Sequence, residues 1–135
     1  MYFGSNINES PVIAGVAGAA IEGGAFKVVK FNSGKVVLAG VPGAPVLGIL
    51  PAQTPDLAEG DDVTVQVAAI GKVKAGAAVA KGALLMTDEN GLAVTAVPES
   101  YIFGIALESA AASGALIDVL IKGGGYAPAA AGGST

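Results

Sequence analysis

Apolar residues in this chain come in short bursts, and each burst is cut off by Gly, Pro, Asn or Asp. Val63-Thr64-Val65-Gln66-Val67 is the clearest case. Successive side chains of an extended strand point to opposite faces, so this segment has one apolar face and one that is wet or meets a partner. Val and Ile total 25, and β-branched side chains favour extended backbone. The pattern predicts strands over Ala25–Lys30, Lys35–Ala39, Val46–Leu50, Val63–Ala69, Lys72–Lys74, Ala83–Thr87, Leu92–Ala96, Ile102–Leu107 and Leu116–Lys122. Asn32-Ser33-Gly34 and Asp88-Glu89-Asn90-Gly91 read as hairpin connections because Asn and Gly tolerate positive φ, and Ser113-Gly114 as the turn before the last strand. Helix signals are poor: Ser109–Ser113 and Ala127–Ala131 are too short, and Pro55–Gly60 has room for one turn ended by Gly60. The expected fold is all-β, a small β-barrel or β-sandwich of short strands with extended, poorly structured N- and C-terminal arms.

The organisation expected is an N-terminal arm over 1–24, a β domain over 25–122 and a flexible low-complexity tail over 123–135. The first segment mixes Gly, Ala, Asn and Ser with isolated large residues, among them Tyr2, Phe3, Ile7, Val12, Ile13, Val16 and Ile21. It reads either as a frayed end or as an arm ordered on a neighbouring molecule, since that much apolar surface is costly to leave in water. The tail is too poor in apolar bulk to fold alone, and Tyr126 and Pro128 are its only anchors. Tyr2, Phe3, Ile7 and Tyr126 are therefore the candidate residues for contact with a partner or a sister subunit.

Composition removes whole classes of chemistry. The chain of 135 residues has no His, Cys, Trp or Arg. That leaves no ordinary zinc site, no Ser-His-Asp or Cys-His nucleophile and no disulfide framework. Without Arg there is no planar fork for phosphate or guanine, and a net charge of −4 argues against nucleic acid as a direct partner. Charged residues are 13%, about half the usual quarter, while Ala (27) and Gly (21) make the mean residue small. The longest apolar stretch, Val36 to Ala52, is broken by three Gly and three Pro, so no membrane-spanning helix is expected. The opening Met1–Asn6 lacks the positive charge of a secretory signal. High mean hydropathy with so little charge implies a surface that is covered in the working state, and hence an assembly.

Motifs that resemble chemistry resolve into turns. Asp61 and Asp62 are adjacent ahead of a strand, so they point apart rather than converge on a metal or a proton. Asp88-Glu89-Asn90-Gly91 lacks the later ligands of a calcium loop. In Gly76–Gly82, Lys81 stands where a P-loop needs its second Gly. No catalytic, cofactor-binding or metal residue is assigned, and an enzyme is not expected.

Ile70-Gly71-Lys72-Val73, a small loop, then Val79-Ala80-Lys81-Gly82-Ala83-Leu84-Leu85-Met86 resembles the hammerhead half of biotinyl and lipoyl carrier domains, with Val79 tucked inward and Leu84 and Met86 on one face. The carrier lysine is missing, because no Lys lies between Lys81 and Lys122. A hammerhead-type β binding module without its attachment lysine is thus the alternative reading. A self-assembling β shell or fibre subunit is a third.

In order along the chain, Val46–Leu50, Ala58–Val65, Ile70–Gly76, Val79–Met86, Asn90-Gly91, Phe103–Ala110 and Ser113–Ile121 resemble the capsid cement, or head decoration, proteins of tailed bacteriophages. The resemblance runs from about Glu22 to Lys122 and leaves the opening 21 residues out. It implies a non-enzymatic structural protein of the virion, assembled in the host cytoplasm. Such a protein binds the outer surface of the head over junctions between major capsid proteins. It also implies a homo-oligomer, with a homotrimer favoured, and no cofactor, nucleic acid or membrane partner.

Overall fold

In the computed structural model, which describes residues 12–128, ten strands form two five-stranded antiparallel sheets. They are β1 Val12–Val16, β2 Val28–Asn32, β3 Lys35–Leu38, β4 Gly48–Ile49, β5 Asp62–Gln66, β6 Ala69–Lys74, β7 Leu84–Thr87, β8 Ala93–Thr95, β9 Tyr101–Ala106 and β10 Leu116–Tyr126. The first sheet has the order β1-β5-β4-β2-β3 and the second β6-β10-β9-β7-β8. The chain is all-β, as its alternation requires. Of the two architectures left open by sequence, the barrel is not formed: the edges β1 and β3 of the first sheet do not pair along their length and are bridged just beyond β1, between Ala17 and Val36.

Each sheet has a core of its own. Ala17, Ile21, Val29, Val36, Leu50, Leu57, Val63 and Val65 pack together inside the first sheet. Val73, Val79, Leu85, Phe103, Ile117 and Val119 form the second core, and Val28 and Ile49 reach into it from the first sheet. Neighbouring residues on a strand face opposite ways, so Val28-Val29 and Ile49-Leu50 each supply one side chain to each core. β4 and the Val28-Val29 start of β2 are therefore buried on both sides, whereas Lys30, Phe31 and Asn32 carry β2 out toward solvent.

The chain passes from one sheet to the other between β5 and β6. Sequence placed this break after Ala69; it falls at Val67-Ala68, and Ala69 begins β6 with a left-handed φ of 67°. The Gln66 side-chain amide stabilises the corner by donating to the carbonyls of Ala68 and Ile70 at 3.1 and 3.0 Å. Gly71 leaves space for it, since a Cβ there would lie 2.7 Å from the Gln66 Oε1. The β2–β3 hairpin turns on Ser33 and Gly34, both at positive φ, as a two-residue type I′ loop demands.

Three stretches differ from their expected roles. Within the N-terminal 1–24, Val12–Val16 pairs antiparallel with Val63 and its neighbours on β5, and Ala17 and Ile21 are buried. The small residues that hide this strand serve close packing: a Cβ on Gly15 would lie 2.9 Å from Val36 Cγ2. Pro55–Gly60 forms no helical turn, because Leu57 exchanges backbone hydrogen bonds with Ile21 at 2.9 and 2.8 Å. At the other end β10 runs past Lys122 through three glycines to Tyr126, across from an irregularity in register between Ile102 and Gly104.

Candidate interaction surface

Of the contact candidates, Tyr2, Phe3 and Ile7 lie outside the described residues. Tyr126 closes β10 opposite Tyr101, and their rings meet edge to face at 5.5 Å and 82°. Tyr126 is nevertheless 60% exposed, so one side of the ring is fixed and the other is open to a partner. Backbone bonds hold the next residue as well: Ala127 donates to the Ser100 carbonyl and accepts from Glu99.

The outer face of the second sheet carries apolar side chains that sequence reasoning did not assign. Along β10, Ile117, Val119 and Ile121 point into the core while Leu116, Asp118, Leu120 and Lys122 point away. Ile105 stands opposite both Leu84 and Leu120, and Leu120 stands opposite Ile70, so four aliphatic side chains share one outer face. The signal was present in Leu116–Lys122, where only Asp118 and Lys122 are polar, so a strand with one wet face carries an excess of apolar residues.

Beside this row Lys72 Nζ pairs with Asp118 Oδ1 at 2.8 Å, directly across β6 and β10. The hydrogen bond to Asp118 pushes the Lys72 pKa up from its ordinary value, helped by the charges of Asp118 and Glu108. Glu108 Oε1 accepts from the Asp118 backbone N–H at 2.7 Å. These groups sit at the surface, where such pairs orient more than they stabilise.

Three other aspartates hold backbone N–H groups. Asp61 Oδ2 accepts from Ala58 N, Asp56 Oδ1 accepts from Gly23 N, and Asp88 Oδ1 accepts from Asn90 N and Leu92 N. Among the described residues no three His, Cys, Asp or Glu side chains converge as a metal site would require. No helix among them is long and apolar enough to cross a membrane. Val79 is tucked inward and exchanges backbone bonds with Ala110, as the hammerhead-like spacing implies. Leu84 and Met86 fare unequally on their shared face: Leu84 is exposed, while Met86 is buried near Gly43.

The profile of the phage cement proteins matches residues 16–122. Among solved structures, the chain is similar to the head fiber gp8.5 N base in bacteriophage phi29, with a TM-score of 0.60 at 22% identity, covering 83% of this chain and 93% of that one. No curated protein matches. The profile match takes in both sheets and both cores, from the end of β1 to Lys122 on β10, and the chain therefore belongs to the phage cement protein family, structural components of the phage capsid.

Proposed function

We propose that this protein is a capsid decoration protein that binds the outer surface of a phage head, over junctions between major capsid proteins, and stabilises the shell. The family match over 16–122 carries this reading. The protein does this by contact alone, without catalysis. It is a homotrimer, and Tyr2, Phe3 and Ile7 of the N-terminal segment and Tyr126 of β10 meet the capsid or a sister subunit. Each copy needs only a modest interface, because many copies bridging neighbouring subunits act multivalently. It is a component of the virion, assembled in the host cytoplasm.

Co-sedimentation with expanded empty shells tests the reading, with saturation at a fixed copy number as the expected result. No binding to expanded shells at any concentration refutes it. The N-terminal contacts are tested by deleting residues 2–10. The deletion stops short of Val12, because Val12–Val16 is a strand of the first sheet. Unchanged shell occupancy and unchanged trimerisation would remove Tyr2, Phe3 and Ile7 from the contact.

A further inference from the structure

Leu84, Ile105, Leu120 and Ile70 stand in one line across β7, β9, β10 and β6. At the usual strand spacing the line is about 14 Å long. Its two ends are open to solvent, with Ile70 60% and Leu84 39% exposed. Leu84, Ile102 and Ile105 continue with Lys122 and Gly125 into a groove of about 250 Å³. A second apolar strip lies on the first sheet, where Val12 and Val16 are exposed on the edge strand β1 and Val16 is directly across from Asp62. A charge borders each strip. Lys122 lies two residues from Leu120, and Asp62 borders Val16; neither forms an ion pair among the described residues. The first-sheet strip is one strand wide, with Gln66, Thr64 and Asp62 directly across from Val12, Ala14 and Val16. The two surfaces are thus complementary in charge and each carries exposed aliphatic side chains, yet they belong to different sheets of one chain.

We propose that the outer face of the second sheet receives the β1–β5 edge of a second copy of this chain, with Lys122 of one copy against Asp62 of the next. The inference rests on the oligomer in the reading above, not on where the shell is met. Such a contact joins two different patches, so it is heterologous and is fully satisfied only when the copies close into a ring. Three copies about a three-fold axis achieve that. The aliphatic row supplies the desolvated centre, and the Lys122–Asp62 pair at the rim fixes the register.

The test is self-association by sedimentation and light scattering across a concentration series, with circular dichroism to verify folding. Lys122→Glu and Asp62→Lys are each expected to weaken association by at least about tenfold, and the double variant to recover it. Gly125→Leu fills the groove and is expected to dissociate the oligomer while keeping the fold, because a Cβ at that position meets nothing within 4 Å. A wild-type monomer at every concentration, single variants that associate like wild type, or a double variant no better than the singles would each overturn the proposal. Shell binding is measured on the same samples. Wild-type protein that occupies shells but never self-associates defeats this interface and leaves the cement reading standing. Protein that obeys the charge swap but binds no shell supports the interface and defeats the cement reading.

Discussion

Val28 and Val29 are consecutive residues of β2, fully buried, and they belong to different cores. Val28 faces the second sheet, Val29 the interior of the first. The two cores are thereby joined through a backbone segment that neither can release alone. Val28→Ala and Val29→Ala are each expected to cost about 2–4 kcal/mol through lost burial and a residual cavity. Thermal unfolding should remain a single transition in both variants. Two separated transitions in either one would show that the sheets unfold independently.

Glycine positions separate strain from collision. Gly82 has φ +90° and open space around it, so Gly82→Ala carries only the left-handed penalty of about 1–2 kcal/mol. At Gly48 a Cβ would collide with the backbone carbonyl oxygen of Gln66 and crowd Val65. Gly48→Ala should cost more than about 3 kcal/mol, because the first sheet must open to accept it. Denaturant titration of the two variants gives the comparison directly.

The Lys72–Asp118 pair predicts an alkaline dependence. The folded state raises the Lys72 pKa, with the hydrogen bond to Asp118 as the main cause. Its contribution is therefore fully present below the unfolded lysine value of about 10.4 and is lost as pH rises through the folded value. Wild type and Lys72→Met should differ by a small constant amount at pH 7–9 and converge above that window. A difference that grows with alkalinity would contradict the pairing.

Tyr126→Ala removes an edge-to-face ring contact with Tyr101 and should lower stability by about 0.5–1.5 kcal/mol. Tyr126→Phe keeps the rings together and should leave stability within about 0.5 kcal/mol. If the exposed side of Tyr126 meets the capsid or a sister subunit, Tyr126→Ala also reduces shell occupancy, and comparison with Tyr126→Phe reports the part that belongs to the hydroxyl.

Legibility along the chain followed the range of the interactions. The β2–β3 hairpin was readable from Asn32-Ser33-Gly34, because a turn requiring positive φ is specified by the residues within it. The inward position of Val79 was readable from its spacing to Gly82. β1 was not, because its Gly15 and the adjoining Ala17 answer to Val36, nineteen to twenty-one positions away in sequence, and nothing local signals that demand. The break between β5 and β6 was misplaced for a similar reason: Gln66 reads as a polar strand residue, and only its bonds to Ala68 and Ile70 show that it organises a corner. The outer row of the second sheet was hidden because Leu84, Ile105, Leu120 and Ile70 are scattered over 51 positions and meet only through strand register.

What the sequence alone determined is local: β-branched bursts, alternation and turn residues make strands, and the absence of His, Cys and Arg excludes whole kinds of chemistry. What the tertiary structure decided is everything that depends on pairing between distant strands. It built two cores joined by Val28 and Val29, left the sheets open rather than closed as a barrel, and aligned four scattered aliphatic residues on one outer face. The reason is that side-chain direction on a strand is set by its own residues, whereas which strand lies beside it is set by register and by burial across the whole chain.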